Sequence, residues 1–239
     1  MRESAPNSQK DAKHVRHMFN QIAQTYDRVN RVLSFGFDLR WRKKVAKHLP
    51  LQKNLHLLDL ATGTADQLIA LFESKASIHS AIGIDLASEM LCIGEKKLQK
   101  KPYKHQIELQ VGDAMQLPFE KNSFDACSFS FGIRNVADPL LALEQIWRVL
   151  KPGGRCLILE FSLPPRPIRW PYLWYLRHFL PWMGGKLSRE PKAYRYLNQT
   201  IETFPSGSEF LALMEKASFH HLKARPLALG AVTLYIGEK

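Results

Sequence analysis

The chain has 239 residues, 45% of them hydrophobic, with 34 Lys and Arg against 22 Asp and Glu for a formal charge of +12. This length and composition suit one globular α/β domain with a sizeable core and exclude a disordered or fibrous protein. The three cysteines, Cys92, Cys127 and Cys156, form no C-x-x-C pair, which argues against a zinc site or a disulfide framework.

No 18 apolar residues run together, and the first ten residues lack the apolar stretch of a secretory signal. A cytoplasmic protein holding no metal is expected. The first 50 residues hold eleven Lys/Arg against four Asp/Glu, and residues 163–196 hold seven against Glu190 alone. Positive charge confined to two segments points to a partner surface there.

In chain order, residues 11–48 read as two basic helices around a Ser34-Phe35-Gly36-Phe37 turn. Residues 1–50 are thus expected to form an N-terminal helical cap on a second unit, 51–239. Leu55–Leu60 is an apolar strand that breaks into small residues, and Thr64–Glu73 follows with helical spacing. Strands at Ala81–Asp85, Gln106–Val111, Phe124–Phe129 and Arg155–Phe161 alternate with helices at Ser88–Gln99 and Pro139–Leu150. Pro152-Gly153-Gly154 stops the last helix. After a basic, aromatic insertion (163–200) come a helix near Ser206–Ala217 and two strands near His220–Leu227 and Ala231–Gly237. Such alternation predicts a parallel sheet covered on both faces, with ligands at the carboxyl ends of its strands.

The turn after the first strand, Asp59-Leu60-Ala61-Thr62-Gly63-Thr64-Ala65-Asp66, and the second strand ending on Asp85, 22 residues beyond Gly63, have the spacing of a nucleoside-cofactor site. A pyrophosphate asks for several glycines, and only Gly63 is present, so a dinucleotide fits poorly. S-adenosylmethionine, with one carboxylate and one ribose, asks less. The plain alternative is an ordinary strand–helix turn followed by an acid capping the next helix.

Four blocks together resemble the quinone C-methyltransferases of ubiquinone and menaquinone synthesis, the UbiE/MenG type. They are Tyr26-Asp27-Arg28-Val29-Asn30 with Leu33-Ser34-Phe35-Gly36 and Trp41, then the Asp59–Asp66 turn. Phe131-Gly132-Ile133-Arg134-Asn135-Val136 follows, running through Asp138 to Arg148–Arg155 and Leu159-Glu160-Phe161-Ser162. The last is Tyr194-Arg195-Tyr196-Leu197 with Phe204-Pro205 and Gly230…Gly237. The resemblance covers roughly residues 12–238. Three positions depart from its pattern. Ala65 stands for a glycine, and its methyl would crowd the cofactor's carboxylate if φ there were positive. Asp38 stands for a histidine, and Ser218 for a glycine.

The resemblance implies a class I S-adenosylmethionine-dependent methyltransferase fold. That fold is Rossmann-like, with a mostly parallel seven-stranded sheet, helices on both faces and an aromatic-rich insertion after the fifth strand. It places Gly63 and Thr64 against the amino-acid end of S-adenosylmethionine and Asp85 on the ribose. Asp113 and Ala114 take the adenine, and Ser130 lies beside the transferred methyl. Asp113 alone is as well explained as a helix N-cap. The implied reaction methylates a ring carbon of a reduced polyprenyl quinone, demethylmenaquinol being the usual acceptor. Arg134, Asn135 and Tyr26 are the catalytic candidates: Arg134 steadies the ring oxyanion, Asn135 orients the same oxygen, and the base is Tyr26, Asp27, His14, His17 or a relayed water. The plain alternative for Arg134 is a local pair with Asp138.

A polyprenylated quinol lives in a bilayer, so peripheral contact with the inner face of the cytoplasmic membrane is expected. Trp170, Trp174 and Trp182, with Arg166, Arg169 and Arg177, are the candidate contacts, and a pocket lid is the alternative. A homodimer is compatible with the sequence. An RNA methyltransferase is the competing enzyme reading. Against a nucleic-acid partner, Ser130-Phe131-Gly132 stands where amino-directed enzymes carry Asp/Asn-Pro-Pro-Tyr/Phe, and no RNA-binding module is visible. A non-catalytic S-adenosylmethionine-binding regulator is the third reading.

Overall fold

A computed structural model describes residues 11–180, 182–183 and 190–239, with the side chains of 191, 192, 194 and 195 also left aside. The first ten residues, part of the insertion and the side chains of Tyr194 and Arg195 therefore lie outside what is described. Seven strands form one sheet: β1 (Leu55–Leu60), β2 (Ile78–Asp85), β3 (Ile107–Val111), β4 (Phe124–Ser130), β5 (Leu150–Phe161), β6 (His220–Leu227) and β7 (Val232–Glu238). Their order is β3-β2-β1-β4-β5-β7-β6. The first five are parallel, and β7 runs antiparallel between β5 and β6. Strand order reverses on either side of β1, so the carboxyl ends of β1 and β4 open a crevice where a ligand fits.

The helices are α1 (Ala12–Leu33), α2 (Phe37–Ala46), α3 (Asp66–Phe72), α4 (Ser88–Leu98), α5 (Pro139–Val149), α6 (Arg166–Trp174), α7 (Pro191–Thr203) and α8 (Ser208–Lys216). Alternate residues of β1 serve the two faces, as strand pleating requires. Leu58 and Leu60 pack with Leu143 and Ile146 of α5 and Phe210 of α8. Leu55 and Leu57 pack with Val45 of α2, Leu68 of α3 and Leu98 of α4. A third cluster joins Ile22 and Val29 of α1 to Met90 of α4, Leu176, and Leu197 and Ile201 of α7. That cluster is what lays α1 across the carboxyl edge of the sheet.

Two elements differ from the sequence expectation. α3 starts at Asp66 rather than Thr64, because Gly63 and Ala65 sit at φ +55° and +64°, outside the helical region. α5 ends at Val149, before Pro152-Gly153-Gly154: Leu150 already pairs with Phe124, so that segment is a bulge inside β5 and not the helix stop. Gly153 takes φ +74° there. Among the described residues, the insertion is mostly helical. α6 runs on into a wide π-type turn over Tyr175–Phe179, with Pro171 inside it. Its prolines hide the helical spacing from a reading by sequence pattern.

Candidate active site

The turn between β1 and α3 is built from residues that accept left-handed backbone: Ala61 (φ +47°), Gly63 and Ala65. A side chain at Gly63 would meet nothing nearer than 3.9 Å, so the peptide there stands open to a cavity. Ala65 takes positive φ, but its methyl does not crowd that cavity. Ala65 is fully buried, and its Cβ would lie 3.3 Å from a Cβ at Gly94 of α4, where glycine leaves the room. At the tip of β2, Asp85 Oδ2 accepts the Gly63 N–H at 2.8 Å and Oδ1 accepts the Ala87 N–H at 2.8 Å. Burial pushes its pKa up to about 6 against those amides.

The cavity spans ≈ 920 Å³ of space between atoms, including the solvent at its open mouth. Gly63, Thr64, Asp85, Asp113, Ala114, Ser130, Tyr26 and Asn135 all line it. No helix follows Asp113. Its Oδ1 instead accepts the Met115 N–H at 2.8 Å, closing a tight turn rather than capping a helix. Ser130 Oγ donates to Gln67 Oε1 at 2.9 Å, and Gln67 Nε2 donates to the Arg42 carbonyl at 3.3 Å. Gln67, which sequence spacing gives no reason to single out, thus ties the tip of β4 to α2.

A second cavity adjoins the first and shares Tyr26, Arg42 and Phe131 with it. Its wall is mostly apolar and aromatic: Trp41, Phe161, Tyr172, Tyr175, Leu176 and Leu197 are among its residues. Arg134 lines this cavity, whereas its neighbour Asn135 lines the first. The two are successive residues of the short 3₁₀ turn Ile133–Asn135. Arg134 does not pair with Asp138, which caps α5 by accepting the Leu141 N–H. It pairs with Glu160 of β5, Nη1 to Oε1 at 2.6 Å, both side chains being buried.

Comparison with known proteins agrees with this geometry. Residues 7–239 match the model of the ubiE/COQ5 methyltransferase family. The chain belongs to that family. It is 40% identical to the ubiquinone/menaquinone biosynthesis C-methyltransferase UbiE of Geotalea daltonii, over 94% of this chain and 96% of that protein. It is 34% identical to the demethylmenaquinone methyltransferase of Anoxybacillus flavithermus, over 97% and 98%. A SAM-dependent methyltransferase from Thermotoga maritima shares the fold at TM-score 0.66 and 20% identity, over 95% of this chain and all of that one. This ubiE/COQ5 family chain is therefore a methyltransferase that uses S-adenosylmethionine. The first cavity fits it: a strand-tip carboxylate for ribose, open backbone at Gly63 and space for a nucleoside.

In this ubiE/COQ5 member, α1 is clasped to the cofactor turn. Asp27 accepts from Thr64 Oγ1 at 2.6 Å and from Lys97 Nζ at 3.0 Å, while Lys97 and Arg31 both pair with Asp66. Asp38 pairs with Arg31 and accepts from Ser34 Oγ at 2.8 Å. It closes the α1–α2 turn. Of the other base candidates, Asp27 is held in an ion pair with Lys97, His17 is exposed, and His14 meets Tyr196 edge-on at 6.4 Å. Tyr26 borders both cavities, and burial raises its pKa while Arg42 and Arg134 pull it down. Gln67 and Glu160 were invisible as site residues in the sequence, since each acts through a partner distant along the chain.

Proposed function

We propose that this chain methylates a ring carbon of a reduced polyprenyl quinone, with demethylmenaquinol giving menaquinol. The observation that carries the reading is the second cavity, mostly apolar and aromatic-walled, which adjoins the cofactor cavity across Tyr26, Arg42 and Phe131. The names of the relatives, UbiE and demethylmenaquinone methyltransferase, support an acceptor of this class. When bound, S-adenosylmethionine supplies the electrophilic methyl group. Gly63, Thr64 and Asp85 hold the nucleoside and amino-acid ends, and Asp113 and Ala114 border the place for the adenine. Tyr26, whose raised pKa keeps its phenol protonated, borders both cavities and can hydrogen-bond a ring hydroxyl while a water relays that proton to solvent. α1 and the aromatic wall exclude water, so most of the rate comes from alignment.

The insertion serves as lid and as membrane contact together. Tyr172 and Tyr175 face the second cavity, and Tyr175 donates to the Leu33 carbonyl at 2.8 Å. Trp170, Trp174 and Trp182 are 76%, 55% and 59% exposed. Phe35 and Phe37 of the α1–α2 turn and Leu229 before β7 are exposed as well. The Tyr175–Leu33 bond and a contact of Tyr172 with Ala231 draw these three segments together around the second cavity. Exposed aromatics beside Arg166 and Arg169 suit an anionic headgroup layer.

The test incubates the protein with methyl-labelled S-adenosylmethionine, chemically reduced short-chain demethylmenaquinone and, in parallel, total RNA. Label on the naphthoquinol ring, lost in Asp85→Ala, is the expected result. Label on RNA alone would overturn the reading, and cofactor binding without transfer would leave a regulator.

A further inference from the structure

Arg42 is left without a chemical reason by the fold. α2 carries it into the wall shared by the two cavities, where it is 8% exposed and its guanidinium stands 5.2 Å from the centre of the Phe131 ring. Its Nε is buried without a partner. Among the described residues it makes no ion pair, in contrast to its cationic neighbours: Arg134 has Glu160, Arg31 has Asp38 and Asp66, and Lys97 has Asp27 and Asp66. The carboxyls of Asp59 and Asp66 feel its charge without pairing to it. Removing a guanidinium from water without an anion is costly, and one aromatic face recovers only a fraction of that cost. Such a cation, on the wall of a ligand cavity, is arranged for an anion that arrives with the ligand.

We propose that Arg42 is the anion-receiving residue of the double cavity. It takes an anionic oxygen of what binds there, either the carboxylate at the cofactor's amino-acid end or the ring oxygen that ionises in the acceptor. This rests on the methyl-transfer reading above. The carboxylate is the nearer fit, because Arg42 shares the first cavity with Gly63, Thr64 and Asp66.

The experiment measures, for wild type, Arg42→Gln and Arg42→Lys, calorimetric binding of S-adenosylhomocysteine and of 5′-methylthioadenosine, the same nucleoside without a carboxylate. It also measures kcat and KM for short-chain demethylmenaquinol against pH. If the carboxylate is the anion, Arg42→Gln weakens S-adenosylhomocysteine about tenfold or more and leaves 5′-methylthioadenosine within about twofold, with Arg42→Lys between. If the ring oxygen is the anion, S-adenosylhomocysteine binding holds in Arg42→Gln. kcat then falls about tenfold, and its acidic limb moves to higher pH with Tyr26, Asp59, Asp66 and Arg134, the ionisable neighbours, all retained. Unchanged binding and kcat in Arg42→Gln overturn the proposal. Equal weakening of both nucleosides also overturns it and assigns Arg42 to holding the cap. A wild type that binds no S-adenosylhomocysteine fells the methyl-transfer reading itself, and the inference with it.

Discussion

Arg134 Nη1 lies 2.6 Å from Glu160 Oε1, and both side chains are almost wholly withdrawn from solvent. The same nitrogen donates to the Phe131 carbonyl at 2.7 Å, so the pair fixes the strained tip of β4, where Phe131 itself sits at φ +60°. Glu160→Gln leaves that guanidinium without its anion. Loss of one partner of a buried pair costs about 3–5 kcal/mol. Urea unfolding is expected to show a shift of that size, and one below about 1 kcal/mol would mean that the pair is not what holds this tip.

Asp85 has a carboxyl pushed up to about 6 by burial. Only its ionised form accepts two ribose hydroxyls. Affinity for S-adenosylhomocysteine is therefore expected to be flat above pH 7 and to fall about tenfold per pH unit well below 6. Isothermal titration between pH 5 and 8 checks this, with Asp85→Ala expected to be weak and nearly pH-independent.

Asp59 on β1 is fully buried and accepts from Ser128 Oγ at 2.5 Å. Burial is the largest influence on it and raises its pKa to about 6. A carboxyl with a raised folded pKa favours the native state below its unfolded value, and that advantage is lost as pH rises from about 4 to 6. Asp59→Asn removes the penalty. The variant is expected to match wild type near pH 4 and to be more stable at pH 8 by on the order of 2–3 kcal/mol in denaturant titrations.

α1 covers the cofactor cavity and is clasped by Asp27 to Thr64 and Lys97. The clasp is partly exposed, so its net worth is about 1 kcal/mol. Asp27→Ala is expected to speed dissociation of S-adenosylhomocysteine by about fivefold in stopped-flow fluorescence while changing the melting temperature little. An unchanged off-rate would show that the ligand leaves without moving α1.

For membrane contact the structure changes which arginines matter. Arg177 is held by Glu202 in a two-point pair at 3.0 and 2.6 Å, whereas Arg166 and Arg169 stand exposed beside Trp170. Co-sedimentation with anionic vesicles is expected to weaken with salt. It is expected to drop about tenfold in Trp170→Ala with Trp174→Ala and severalfold in Arg166→Ala with Arg169→Ala. Arg177→Ala is expected to lose little. Full binding by the double tryptophan variant would remove this surface from the account.

The sequence by itself determined the sheet and one half of the site. Leu55–Leu60 is apolar enough to be buried along nearly its whole length, and the Gly63 turn and Asp85 stand at the strand tips by spacing alone. Local chemistry suffices there, because turn geometry and strand ends are written in neighbouring residues. Only the tertiary structure decided the other half. Arg134 meets Glu160 across 26 positions, Thr64 meets Asp27 across 37, and Ala65 is accommodated because Gly94 makes room on another helix. Arg42 gains its meaning solely from having no such partner. Pairing of buried charges depends on distance and desolvation in three dimensions, and neither quantity is a property of residue order.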